Sequence, residues 1–197
     1  MRLRSRGISD ASTLRAMEEV PRKRFISNDL SERAYEDLAL PIECGQTISA
    51  PLATALLVQI LALTDRSKVL EIGSGSTWMS AIMAQVARRV YAVERYVKLV
   101  ETAEARLKEL SVRNVEIRHG DGRYGWPGQA PFDRIVLGCA VRAVPDKVLD
   151  QLSPNGRLVA VVDGQLTLIE RARKHLTETE IMPLDLPMIE FGKSKTL

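Results

Sequence analysis

An α/β fold built on a doubly wound, mostly parallel sheet is what this sequence predicts, and three observations carry the prediction. Short apolar or β-branched runs alternate with stretches that place apolar residues at helical spacing. A glycine-rich segment follows the first run of the alternating region directly, where a strand would turn into a helix. Two further runs near the C-terminus are placed to extend the sheet as antiparallel strands at that edge.

Taken in order, "STLRAMEEV" (Ser12 to Val20) reads as a helix ahead of the alternating core. "PLATALLVQILAL" (Pro51 to Leu63) is the longest apolar stretch. It falls short of the roughly 20 residues that span a bilayer, so it reads as a buried amphipathic helix. The strand candidates are "KVLEI" (Lys68 to Ile72), "RVYAVE" (Arg89 to Glu94), "VEIRHG" (Val115 to Gly120), "DRIVLG" (Asp133 to Gly138) and "GRLVAVV" (Gly156 to Val162). Between them lie the helical patterns "TWMSAIMAQVA", "VKLVETAEARLKEL" and "VPDKVLDQL". Strands alternating with helices imply βαβ units with helices on both faces of the sheet. The late strands are "LTLIERAR" (Leu166 to Arg173) and "EIMPLDLPM" (Glu180 to Met188).

The 197 residues, 45% of them apolar, suffice for one domain with a real core, and no linker, repeat or low-complexity segment divides them. A net charge of +3 is too mild to announce nucleic acid. The excess sits in "MRLRSR", in "PRKR" (Pro21 to Arg24) and in the last residues, and none of these runs interleaves aromatic rings. Cys44 and Cys139 are too far apart in sequence to announce a disulfide framework or a zinc pattern, so a reducing, cytoplasmic setting is expected. "GISDASTL" after the basic start argues against a secretory signal. Nucleic acid, membrane and metal are not expected partners, and no feature of the chain bears on oligomeric state.

The chemistry concentrates in "LEIGSGSTW" (Leu70 to Trp78). Gly73 and Gly75 allow a tight turn and a close ligand approach. A dinucleotide fingerprint would need glycine where Trp78 stands, which weakens a nicotinamide reading. Glu71 precedes the glycines, Glu94 closes the next strand about 20 residues on, where a carboxylate can accept ribose hydroxyls, and Asp121 follows the third strand. Asp121 could accept from an exocyclic amine such as that of adenine, or simply make a turn with its flanking glycines. Three carboxylates at successive strand ends around a glycine loop describe a site for an adenosine that carries positive charge.

S-adenosylmethionine is such a ligand, and here the chain resembles the class I methyltransferases, with their Rossmann-like sheet. More narrowly it resembles the protein-L-isoaspartate O-methyltransferase family. The residues carrying the likeness are "VPRKRF" (Val20 to Phe25), "AYEDLALPI" (Ala34 to Ile42), "GQTISAP" (Gly45 to Pro51), "LEIGSGS", "GDG" (Gly120 to Gly122), "APFDRI" (Ala130 to Ile135) and "LDQLSPNGRLV" (Leu149 to Val159). The likeness runs from "RGISD" to "LPMIEFG". It implies one methyltransferase domain over 1–197, with a helical, substrate-side segment at 1–65 and a cofactor-binding core at 66–197. It further implies methyl transfer to the free carboxylate of L-isoaspartyl residues in damaged proteins or peptides. By the resemblance, Ser49 stands at the active site, and Gln46, Thr47 and Ile48 wall it. Gln46, Thr47 and Ile48, together with Glu71, Gly73, Gly75, Thr77, Glu94, Asp121 and Gly122, would then hold the cofactor. An isoaspartyl carboxylate, with a pKa near about 4, is already an anion at neutral pH, so the lack of a His, Cys or paired-acid constellation is expected.

Other readings stand beside these. Ser49 ahead of "AP" could also be the N-cap of the helix that starts near Pro51. His119 and His175 lack partners at ligand spacing and read as surface or packed residues. Cys44 and Cys139 read as small buried apolar residues, and Trp126 with Pro127 as a packed loop. Thr77 takes the place of the family's usual third glycine, Glu43 and Cys44 precede "GQTIS", and "LGCAVRAVP" (Leu137 to Pro145) places Arg142 after the fourth strand. "VVDGQL" is a tight connection, and few residues follow Gly192 to close over a ligand. These departures leave two alternatives: a carboxylate methyltransferase with another peptide or small-molecule substrate, or a non-catalytic cofactor- or partner-binding homologue.

Overall fold

The computed structural model describes residues 3–173 and 175–194. The outermost residues of the basic N-terminal run and of the C-terminal run lie outside them. Helix α1 (Ala11–Glu19) comes first, and its N-cap Asp10 accepts from the Thr13 N–H at 2.7 Å. A minimal antiparallel pair follows, β1 (Leu40–Pro41) with β2 (Thr47–Ile48), and then helix α2 (Pro51–Leu61). The α2 residues Ala53, Thr54, Ala55, Leu56, Leu57, Val58 and Leu61 are all buried, so the helix is sheathed on nearly every side rather than amphipathic. That is the burial expected of a helix that is apolar all round.

The core then alternates β3 (Lys68–Ile72), α3 (Trp78–Ala84), β4 (Arg89–Glu94), α4 (Val97–Glu109), β5 (Val115–His119), β6 (Phe132–Val141), α5 (Asp146–Leu149), β7 (Leu152–Val162), β8 (Gln165–Ala172) and β9 (His175–Pro183). These strands form one sheet in the order β5-β4-β3-β6-β7-β8-β9. The pairings from β5 through β7 are parallel, and β8 is antiparallel to both neighbours. The sequence-predicted fold class is therefore the one observed. The chain leaves β3 toward β4 and β5, then returns to its other side as β6, so the strand order reverses at β3. Such a switch point opens a crevice at the carboxyl ends of the strands.

The two faces of the sheet are covered unequally. Val69, Val90, Val136, Val159 and Val161 pack with α1, α2 and α3 in the larger core. Alternate residues on the opposite face, Leu70, Ile72, Val93, Ile135, Leu137, Leu158 and Ala160, meet Phe132, Val148 of α5 and the half-buried Trp126. This period-two division is that of a sheet buried on both sides. The second face is closed by the four-residue α5 and by loops rather than by full-length helices.

The C-terminal end differs from the sequence expectation. The last strand is "HLTETEIMP", with every residue exposed, and it ends at Pro183 instead of running to Met188. An edge strand wet on both faces carries no apolar alternation to read. Pro183 and Pro187 bring no N–H with which to continue a ladder. The "VVDGQL" connection is a two-residue hairpin in which Asp163 (φ 45°) and Gly164 (φ 79°) both take left-handed conformations, as a tight antiparallel turn requires.

Candidate active site

At the carboxyl ends of β3, β4 and β6 a cavity encloses about 680 Å³ of space, its open mouth included. Gln46, Thr47 and Ser49 line it from the N-terminal segment, and Gly73, Gly75, Glu94 and Gly122 from the core. A smaller chamber of about 340 Å³ adjoins it and shares Thr47, Ser49, Gly73, Gly75 and Gly138. Glu71, Ser74 and Ser76 line only that chamber. Most residues singled out from sequence thus meet at one place, drawn from segments far apart in the chain.

The glycine loop begins where β3 ends. Gly73 (φ 77°) and Gly75 (φ 51°) take backbone conformations that L side chains resist, and this lets the loop turn across the strand ends. Glu94 braces it: Oε2 accepts from the Gly75 N–H at 2.9 Å, while Oε1 accepts from the N–H groups of Arg95 (2.7 Å) and Tyr96 (3.0 Å). A carboxylate offers about four acceptor positions, so roughly one, on Oε2, is left for a ligand. Thr77 is also left-handed (φ 65°) and fully buried, and its hydroxyl donates to the Ser76 carbonyl. It fills a conformation suited to glycine, and its side chain lies outside the walls of both cavities.

Glu71 is wholly buried, with Oε2 accepting from the Ser80 hydroxyl and Oε1 without a partner among the described residues. Burial, reinforced by the neighbouring Glu94 charge and opposed by the Ser80 bond, pushes its carboxyl up to about 8. The buried Ser74 hydroxyl is likewise unpartnered among the described residues. Both residues line the smaller chamber, so these two polar atoms are uncommitted at its wall.

Asp121 turns elsewhere. Oδ1 accepts from the Arg123 N–H at 3.0 Å and Oδ2 from the Arg123 guanidinium at 2.8 and 3.0 Å. Burial alone would raise its carboxyl, but these bonds hold it below the usual range. Its neighbour Gly122 lines the cavity in its stead. Ile48 lies 3% exposed, pairs with Leu40 across the β1–β2 ladder, and lines the smaller chamber alone.

Ser49 borders both chambers, and its hydroxyl makes no hydrogen bond among the described residues. It is not the N-cap of α2. That place belongs to Ala50, and the Leu52 N–H is satisfied instead by Asp37 Oδ1 at 2.9 Å, a carboxylate brought from the preceding loop. Arg22, which the sequence reading placed in the basic run "PRKR" without a site role, is 1% exposed and holds this region together. Its guanidinium donates to the carbonyls of Ala34 (2.9 Å), Glu36 (3.4 Å), Leu38 (2.9 Å), Ile48 (3.3 Å) and Ser49 (3.0 Å). Burial lowers its guanidinium to about 10, with the Asp37 charge opposing, so it remains a cation at neutral pH.

The remaining walls come from segments to which the sequence reading gave no site role. Gly138 and Cys139 enter from a register shift in β6, between Val136 and Ala140. Burial, with Glu94 and Glu71 adding to it, pushes the Cys139 thiol up to about 12, so it stays neutral. Pro187, Met188, Ile189 and Glu190, ahead of Gly192, also line the cavity. The Ala140 N–H donates to the Pro187 carbonyl and the Ile189 N–H to the Ala140 carbonyl, both at 2.8 Å. Glu190 pairs with Arg95, and Gln46 Nε2 donates to the Tyr96 hydroxyl at 3.4 Å.

Both histidines fall outside the cavity walls, His119 bonding the Arg95 carbonyl at 2.8 Å and His175 lying exposed on β9. Glu43 lies within electrostatic reach of Arg106, and Arg142 is exposed outside both chambers. Among the described residues no group of three or more His, Cys, Asp or Glu could hold a metal ion, and no helix is long and apolar enough to cross a membrane.

Comparison with known proteins matches residues 1–186 to the family model described as protein-L-isoaspartate(D-aspartate) O-methyltransferase. The chain is 46% identical over 201 residues to the protein-L-isoaspartate O-methyltransferase of Maricaulis maris (strain MCS10), covering 100% of this chain and 94% of that one. A solved protein-L-isoaspartate O-methyltransferase superposes with a TM-score of 0.84 at 28% identity, over 95% of this chain and 63% of that one. A Plasmodium falciparum structure, described as a putative protein-L-isoaspartate O-methyltransferase in complex with S-adenosyl-L-homocysteine, shares the fold with a TM-score of 0.80 at 24% identity. It covers 95% of this chain and 94% of that one.

Proposed function

The chain belongs to the protein-L-isoaspartate(D-aspartate) O-methyltransferase family, and from that premise we propose that it methylates the free carboxylate of L-isoaspartyl residues in damaged proteins and peptides. The methyl donor of the family is S-adenosylmethionine. One observation carries the assignment of the site: the glycine loop, Glu94 and the Gln46–Ser49 segment converge on a single cavity with two orphaned buried oxygens beneath it.

The residues fit that cofactor. Glu94 has an acceptor position left for a ribose hydroxyl, one place rather than the two that the strand-end argument suggests. Glu71 Oε1 and Ser74 Oγ would receive the ammonium and carboxylate end, and Gly73, Gly75 and Gly122 supply walls without side chains. Asp121 would reach an adenine amine only after the exposed Arg123 releases it. Thr77 would act through the shape of the loop, and Ile48 as part of the smaller chamber's wall.

When bound, the cofactor supplies a methyl group already activated on a sulfonium. What is left for the protein is alignment and the exclusion of water. Ile72, Val93, Met188 and Ile189 provide apolar wall. Ser49, with its hydroxyl uncommitted, would donate to the incoming carboxylate and orient it. That carboxylate needs no base, being ionised above about pH 4, which agrees with a Cys139 thiol held neutral and with histidines outside the walls. The ester product would close to a succinimide without further help from the enzyme.

Neither Glu43 nor Arg142, which argue from sequence for another substrate, stands in the cavity. A reducing, cytoplasmic setting is supported by two free thiols, Cys44 and Cys139. The test is methyl incorporation from labelled cofactor into an isoaspartyl peptide and its matched aspartyl peptide. Incorporation into the first alone is expected; equal incorporation into both, or into neither, overturns the reading.

A further inference from the structure

Arg22 is 1% exposed, yet among the described residues no carboxylate forms an ion pair with it. Its charge is met by carbonyl dipoles from two separate segments: Ala34, Glu36 and Leu38 before the β1–β2 pair, Ile48 and Ser49 at its end. The guanidinium also lies over the Trp78 ring, 5.3 Å from its centroid. The indole N–H of Trp78 in turn donates to the Val20 carbonyl at 3.1 Å. Trp78 opens α3 directly after Thr77, so it is the anchor of the glycine loop. One planar cation therefore joins the segment bearing Ser49 to the helix that carries the loop.

A buried cation is costly, and packing alone would be served as well by an apolar side chain of similar volume. A rigid fork of donors, however, fixes distances among many acceptors at once, which lysine's single ammonium does not. Arg22 lines neither chamber, so its influence on a ligand is indirect. We propose that Arg22 is a positioning residue for methyl transfer: through the Ser49 carbonyl and the Trp78 ring it sets where the Ser49 hydroxyl stands relative to the glycine loop. This rests on the methyltransferase reading above.

The test is a double-mutant cycle on the full chain with Arg22→Lys, Ser49→Ala and the pair together, each titrated with S-adenosylhomocysteine and assayed with isoaspartyl peptide. Turnover is expressed per S-adenosylhomocysteine-binding site, so molecules that have failed to fold do not count. Arg22→Lys is expected to keep S-adenosylhomocysteine affinity within about threefold while kcat per site falls about tenfold or more, as a small displacement of an aligning group does. The pair is expected to lose no more turnover than Ser49→Ala alone. Additive losses, a loss of affinity in step with turnover, or turnover retained in Arg22→Lys each overturn the inference.

If Arg22→Lys fails to fold by circular dichroism, Arg22→Gln, a planar amide with two donors, takes its place in the cycle under the same criteria. Failure of both to fold makes Arg22 a folding residue and overturns the proposal. A parent chain that does not methylate the isoaspartyl peptide overturns the function itself and this inference with it, and it does so before any variant is compared.

Discussion

Glu94 braces the fold and, in the proposed function, would also meet the ligand, because three backbone N–H groups converge on its carboxylate and hold it at the cavity wall. Removing it takes away a charged acceptor, worth about 1.5–3 kcal/mol, or roughly tenfold to a hundredfold in affinity. Glu94→Ala is therefore expected to weaken S-adenosylhomocysteine binding by at least about tenfold, whereas Ser49→Ala leaves it within about threefold and lowers turnover. Calorimetric titration of both variants checks this, and unchanged affinity in Glu94→Ala would remove Glu94 from the ribose site. The positions of Glu71, Glu94 and Asp121 were legible in the sequence because strand ends of a parallel sheet face one edge. Their bonding partners were not. Asp121 is taken by Arg123 two residues on, a local choice that strand-end geometry does not reveal. Thr77 shows the same limit: its rank in the loop was plain, but its buried hydroxyl and left-handed backbone follow from packing.

At the scale of elements, α2 shows how a start signal in sequence is answered by a different residue. Ser49 before Pro51 has the pattern of a capped helix, yet the Arg22 bond to the Ser49 carbonyl commits that residue to the site, and Asp37 caps the Leu52 N–H instead. Asp37→Ala is expected to destabilise the protein by about 1 kcal/mol, the cost of a lost cap, and Asp37→Asn to restore most of it. Urea unfolding of the two variants measures the difference, and an unchanged midpoint in Asp37→Ala would show that water replaces the carboxylate freely. The core strands β3 to β7 and helices α3 and α4 were readable because buried faces impose period on sequence. Strand β9 was misplaced because all of it is exposed, and the wall at 187–190 was unread because it is held by two backbone bonds to Ala140 that no side chain announces.

The whole molecule keeps Glu71 buried on an interior strand of its sheet, with one carboxylate oxygen unpartnered among the described residues, and the fold as a unit must bear that arrangement. Its carboxyl is raised from an ordinary 4.5 to about 8, so between those values the folded protein holds a proton that the unfolded chain has released. Stability then falls as pH rises through this window, since the state binding fewer protons gains. Below about pH 4 the group is protonated in both states and makes no difference; above about pH 8 the penalty is complete, on the order of 5 kcal/mol. Glu71→Gln keeps the shape and cannot ionise, so its stability is expected to lack this component. Urea unfolding of parent and variant at about pH 5 and about pH 9, without cofactor, isolates it as the difference of differences. The parent should lose more stability than the variant between the two values. Parallel behaviour would mean that Glu71 is ionised in the folded protein throughout, with water supplying the partner that Oε1 lacks. The chamber beneath the glycine loop would then be a hydrated pocket, and Glu71 would meet a cationic ligand already charged.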